Sequence, residues 1–194
     1  MQRFNPISRH QFGYRPNTST LMATCLLKET VQNYLDENSN VYACFLDLSK
    51  AFERVNHDLL LDKMKINGTP DKILKILNFI FSHSLVGVDF EGSLSQKWLI
   101  KRGVRQGGIL SAHLFCIYID EILLKVSKLP YACRLGISKL NIQAYADEIV
   151  VLCPSATGLK VILSVLQGLM DSHFLCINCS KLKFLSSINK RNHK

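Results

Sequence analysis

Residues 141–153, NIQAYADEIVVLC, set a condition that few folds can meet. Ile142, Ala144 and Ala146 lead into the pair Asp147-Glu148, and Ile149, Val150, Val151 and Leu152 lead out of it. Both flanks are short apolar runs of strand length, so the pair reads as the tip of a hairpin whose arms lie in a sheet. Charged groups are not carried into such an interior uncompensated. Either the tip is an ordinary solvated turn, or it is open and holds a cation.

A second carboxylate narrows the choice. VYACFLDL, 41–48, reads as a buried strand, with Val41, Ala43, Phe45 and Asp47 on one face by period-2 alternation. Adjacent strands of one sheet would bring Asp47 and Asp147 together, where they repel unless a cation lies between them. Magnesium takes hard oxygen ligands, typically one or two carboxylates completed by substrate phosphates. Two such ions about 4 Å apart can activate a hydroxyl and stabilise a leaving oxygen. On the carboxylates alone, the solvated turn is the simpler reading.

The rest of the chain reads as alternating elements. Thr18-Ser19-Thr20 starts a helix running to about Glu37. A helix is expected from about His57, as its cap, to Asn67. Another follows Thr69-Pro70-Asp71, with Pro70 at its first position, and runs to about Ser82. SLVGVDF and SQKWLIKR flank Glu91-Gly92-Ser93 as a hairpin. RQGGILS, 105–111, opens a helix to about Lys128. A helix from about Thr157 to His173 precedes short strands near Phe174–Ile177 and Lys181–Ser187. This order implies an α+β fold, an antiparallel sheet with helices on one face.

The 194 residues suit one domain or part of a larger one, and 47% hydrophobic residues can fill its core. No run reaches ~18 uncharged apolar residues, so no membrane span is expected. The seven cysteines are odd in number. Cys25, Cys44, Cys116, Cys133, Cys153 and Cys176 sit among apolar neighbours, which reads as buried free thiols in a reducing, intracellular setting. Cys176-x-x-Cys179 lacks the second pair that a zinc ribbon needs. A net charge of +9, with a basic cluster in the tail NKRNHK, fits an acidic partner such as nucleic acid and equally fits solvated surface cations.

Five stretches in order carry a resemblance. CFLDLSKAFERVNH (44–57), GVRQGGILSAHLFCIYIDEIL (103–123) and AYADEIVVLCPS (144–155) resemble the palm motifs of reverse transcriptases, most closely those of non-LTR (LINE-type) retrotransposons. QFGYRPNTST (11–20) resembles the fingers motif before them, and LCINCSKLKFL (175–185) the palm motif after them. The resemblance implies a right-hand polymerase palm within one domain, 1–194. It assigns about 1–40 to partial fingers, 41–67 to a palm strand and helix, 68–102 to an insertion with a hairpin, 103–187 to palm and 188–194 to a basic tail.

It also implies roles. Asp47, Asp147 and Glu148 match the metal-binding acids, and the Leu48 carbonyl matches the usual backbone ligand for two Mg²⁺ ions, with Mn²⁺ as an alternative. Phe52 matches the aromatic gate beneath the incoming sugar, which separates deoxynucleotides from ribonucleotides at the 2′-hydroxyl. Gln106 matches the glutamine beside the nucleotide, and Arg15 a triphosphate-binding arginine whose guanidinium fork suits phosphate oxygens. Gly107, Gly108 and Tyr145 match template and primer contacts, and Lys181 the lysine that protonates the leaving pyrophosphate. The implied partners are an RNA template, a DNA primer and dNTPs, with no membrane. Plain readings stand beside these: Phe52 as a core residue, Arg15 as a surface cation, the glycines as a loop before a helix.

Three positions depart from the family pattern. Glu148 and Glu53 stand where Asp is usual, and Ala112 where Pro usually follows Ser111. The resemblance further implies that the thumb, an endonuclease and a zinc knuckle lie outside this sequence, so little or no processive synthesis is expected of it alone. Two functions follow: a working polymerase palm, or a nucleic-acid-binding remnant whose chemistry has lapsed.

Overall fold

The computed structural model describes residues 7–187. The expected basic tail, 188–194, lies outside the described residues. Along the chain run α1 (Thr20–Asp36), β1 (Val41–Asp47), α2 (His57–Ile66), α3 (Asp71–Ser82), β2 (Leu85–Val86), β3 (Asp89–Phe90), β4 (Ser93–Leu94), β5 (Trp98–Leu99), α4 (Ser111–Ser127), β6 (Cys133–Leu135), β7 (Ser138–Leu140), β8 (Ile142–Tyr145), β9 (Glu148–Cys153), α5 (Ala156–Ser172) and β10 (Lys183–Ser187).

The central sheet is antiparallel in the order β10-β1-β9-β8. Its two faces are sorted by the pleat. Cys44 and Leu46 of β1, Ile149 and Val151 of β9, and Ile142 and Ala144 of β8 share the main core with α2, α4 and α5. Helix α4 runs through this core, burying Leu114, Phe115, Cys116, Tyr118, Ile119, Ile122, Leu123 and Val126. Its polar residues His113 and Lys125 keep to the exposed side, as on an amphipathic helix with a broad apolar face. The Tyr118 hydroxyl is satisfied on both sides, donating to the His173 carbonyl at 2.6 Å and accepting from the Asn56 N–H at 3.3 Å. Lys63, buried on α2, pairs with Glu121 of α4.

The expectation of helices on one face is corrected by α1. Its Leu26, Leu27, Val31 and Tyr34 pack on the opposite face, over Val41, Ala43, Val150 and Leu152, together with the β6-β7 hairpin. That hairpin was not expected. Gly136, at φ 55, permits the tight connection that joins its strands. The expected strand near Phe174–Ile177 reduces to one bridge, Ile177 with Leu48. Local boundaries follow from their caps. Ser19 caps α1 through the Met22 N–H, and Asn56, rather than His57, caps α2 through the Leu59 N–H. Pro70 caps α3, which begins at Asp71. Helix α4 begins at Ser111, after the glycine loop. Of the cysteines expected to be buried, Cys25 is exposed and Cys176 only half-buried.

Candidate functional site

The hairpin tip is a two-residue loop. Tyr145 pairs with Glu148, which leaves Ala146 and Asp147 between the strands. Ala146 has φ 57. The first loop position of the primed hairpin turns demands such a φ and usually takes glycine, so an alanine there is strained. In the sheet, Asp47 stands directly opposite Glu148 at the end of β1. One register thus gathers Asp47, Glu148 and Tyr145 on one face, with Asp147 at the adjoining loop.

Asp47 is already engaged. Its Oδ2 lies 3.0 Å from the Lys181 ammonium and accepts from the Asn178 side-chain amide at 3.3 Å. The Asn178 N–H donates to the Asp47 carbonyl at 2.8 Å. Asn178 also caps the 3₁₀ turn Cys179–Lys181, its Oδ1 accepting from the Ser180 N–H and hydroxyl. One side chain therefore orients both the carboxylate and the turn that carries its counter-ion. Sequence reading missed Asn178. Its position three residues before Lys181, opening a short polar turn, is the signal that could have found it.

Burial pushes the Asp147 carboxyl above its ordinary pKa, and the negative charge of Asp47 pushes it further; its own backbone N–H and the Lys181 charge pull the other way. The charge of Asp47 thus bears on Asp147, and the Lys181 charge offsets it. Glu148 is exposed. A cleft of about 550 Å³ is lined by Asp47, Glu148, Tyr145, Lys181, Lys183 and Thr24 of α1, among others.

The donor set fits a hard divalent cation in an open arrangement. Among the described residues, no three His, Cys, Asp or Glu side chains converge into a closed metal cluster. What the register brings together is Asp47 and Glu148 on one face, with Asp147 in the adjoining loop and Leu48 next to Asp47 in the chain. The bridge between Leu48 and Ile177 is tied through the Ser49 N–H and the Asp47 carbonyl, so it leaves the Leu48 carbonyl out of its bonds. Magnesium commonly takes such partial sets, with substrate phosphates supplying the rest.

The other expected residues lie elsewhere. Arg15 is half-buried and donates to the Ser8 carbonyl at 3.2 Å. Phe52 stacks on Phe115, ring centroids 4.9 Å apart, and packs against the main core. Gln106 and Gly108 line a second groove of about 860 Å³, walled by α3 and the start of α4. Gly107, exposed at φ 78, has open space around it, whereas a Cβ on Gly108 would lie 2.6 Å from the Ser111 hydroxyl. The structure therefore gathers Asp47, Glu148, Tyr145 and Lys181 around one cleft, with Asp147 in the adjoining loop; neither Asp147 nor Arg15, Phe52 or Gln106 is among the residues that line it.

A sequence profile of the family described as "Reverse transcriptase (RNA-dependent DNA polymerase)" matches residues 1–192. A Pol polyprotein from the type-1 retrotransposable element R2 of Popillia japonica is 28% identical over 88% of this chain. The probable RNA-directed DNA polymerase from transposon BS of Drosophila melanogaster is 28% identical over 92%. The chain spans 24% and 21% of those proteins. Among solved structures, apo telomerase from Candida tropicalis superposes with a TM-score of 0.72 at 15% identity, over 92% of this chain and 36% of that one. That likeness speaks for the fold.

Proposed function

The chain belongs to the reverse transcriptase (RNA-dependent DNA polymerase) family, and from that premise we propose that it is the reverse transcriptase domain of a non-LTR retrotransposon, a reading its relatives support, and that its carboxylate cleft adds deoxynucleotides to a primer 3′-hydroxyl directed by an RNA template. The observation that carries the proposal is Asp47 of β1, paired across the sheet with Glu148 of β9 and ion-paired to Lys181, with Asp147 in the adjoining β8-β9 loop. In this reading Asp47, Asp147 and the Leu48 carbonyl hold Mg²⁺, with Glu148 beside them. The bound ions would lower the charge on the triphosphate and favour the alkoxide form of the primer hydroxyl.

The remaining work is positioning, as is usual in phosphoryl transfer. Lys181 supplies a proton where pyrophosphate leaves, and Asn178 holds the turn that aims it. The family motifs assign Phe52 to the sugar, Gln106 to the base, Arg15 to the triphosphate, and Gly107, Gly108 and Tyr145 to template and primer; of these Tyr145 alone lines the carboxylate cleft, so the others would act on substrate that extends past it. The net charge of +9 favours a polyanionic partner. The buried free thiols support a reducing, intracellular setting.

A second reading, a lapsed nucleic-acid-binding remnant, draws on two observations: Glu148 in place of the usual Asp, and Lys181 seated on the oxygen of Asp47 that a metal would need. Incubation of the purified chain with a short DNA primer on an RNA template, one complementary dNTP and Mg²⁺ separates them. The polymerase reading expects one templated addition, lost in Asp147→Asn, with little extension beyond it. Duplex binding without any addition, even in Mn²⁺, belongs to the remnant.

A further inference from the structure

Gln11 has no part in the chemistry above, yet it is fully buried, with 0% of its surface exposed. Both ends of its amide address the hairpin tip. Its Oε1 accepts from the Ala146 N–H at 2.9 Å and from the Gly13 N–H at 2.8 Å. Its Nε2 donates to the Ala146 carbonyl at 3.4 Å. One side chain thereby satisfies both backbone polar groups of Ala146, the loop residue at positive φ.

The neighbouring backbone is docked in register. The Phe12 N–H donates to the Ala144 carbonyl, and the Ala144 N–H to the His10 carbonyl, both at 2.8 Å. Residue 13 must be glycine for this approach. A Cβ there would lie 2.6 Å from the Ala146 nitrogen and 3.2 Å from the Tyr145 carbonyl carbon.

We infer that Gln11 is a positioning residue: by clamping both polar groups of Ala146 it holds that residue at positive φ, and so sets the direction in which Asp147 presents its carboxylate. The argument rests on reading the cleft as a divalent-cation site. Its chemistry is simple. A non-glycine residue leaves the left-handed region when nothing holds it there, and a turn of the Ala146 backbone swings the next side chain. The plain alternative is that Gln11 merely satisfies buried polar groups at a sheet edge. That alternative gives a loss of stability without a specific effect on metal.

The test uses Gln11→Met, which keeps the length of the side chain and removes its polar atoms. Mn²⁺ binding is followed by the electron paramagnetic resonance of the free ion, and exchange of the Ala146 amide by NMR. The expected result is Mn²⁺ binding weakened about tenfold, in the range seen when an outer-shell partner is lost, together with faster Ala146 exchange. Adding Ala146→Gly to Gln11→Met should restore most of the affinity, because glycine takes positive φ without a Cβ penalty. Should Gln11→Met not fold, Gln11→Asn, whose amide is drawn back by one methylene, must change both readouts in the same direction. Unchanged Mn²⁺ affinity in a folded variant, or no recovery on adding Ala146→Gly, overturns the inference. If wild type and Asp147→Asn bind Mn²⁺ alike, the cation reading falls by itself. The Ala146 exchange rate then decides the clamp, and a rate unchanged by Gln11→Met overturns it.

Discussion

Asp47 and Glu148 stand directly opposite each other across two antiparallel strands, at the last rung of their ladder. Like charges so placed destabilise a sheet unless a cation intervenes. The acid that the register sets against Asp47 is thus the one whose side chain is a methylene longer than the family's usual aspartate.

Glu148→Asp draws that carboxylate back toward the strand. Magnesium tolerates little deviation from octahedral ligation, so the shorter acid is expected to tighten Mg²⁺ binding by about 1.4 kcal/mol, a tenfold change. Calorimetric titration checks it. Equal or weaker binding marks Glu148 as a tolerated ligand.

Lys181→Met is expected to move two readouts in opposite directions. Removing the ammonium from Asp47 Oδ2 leaves that oxygen free for metal, so Mn²⁺ affinity should rise by about 1 kcal/mol, the upper end for an exposed ion pair. Nucleotide addition should fall, because the proton source is gone. A parallel change in both readouts would remove Lys181 from the proposed role.

Asp147 gives a pH signature. Its folded pKa is raised above the ordinary 3.8, first by burial and then by Asp47. The contribution of such a group to stability is fully present below pH 3.8 and is lost as pH rises through the raised value. The neutral Asp147→Asn chain, free of metal, should therefore melt above the parent at pH 7, and the gap should close as pH falls toward 3.8. Metal binding needs the ionised acid, so affinity should weaken in that same acidic window. Thermal melts across pH, with and without Mg²⁺, test both.

Gly13→Ala places a methyl group against the Ala146 nitrogen. The cost is expected to be about 1–3 kcal/mol, as for other forced overpacking, with looser Mn²⁺ binding. Denaturant unfolding measures the first and resonance titration the second. A neutral result would show that residues 10–13 yield freely around the tip.

The β8-β9 hairpin was legible because an apolar run broken by two acids admits few other structures, and β1 because its alternation ends on Asp47. The register was not. Sequence put Asp147 at the hairpin tip, where the structure has it, but did not show that the ladder sets Glu148 directly against Asp47. Helix α1 was found by its Ser19 cap, but its covering of the second face was hidden. Exposed Leu21, Met22 and Leu35 blur the stripe formed by Leu26, Leu27 and Val31. The β6-β7 hairpin escaped notice because its strands are short and carry Arg134 opposite Lys139. Asn178 and Gln11 act through backbone groups far away in sequence, and no local pattern marks such contacts. The family motifs located Arg15, Phe52 and Gln106, but their absence from the lining of the cleft is a matter of tertiary packing.

The central claim is that Asp47 makes this cleft a place of phosphoryl transfer. The direct measurement is templated single-nucleotide addition to a primer on RNA in Mg²⁺, by the parent chain and by Asp47→Asn, with folding matched by circular dichroism. The account predicts product from the parent and none from the Asn variant. Equal product from both, or none from the parent in Mg²⁺ or Mn²⁺ despite duplex binding, would contradict it.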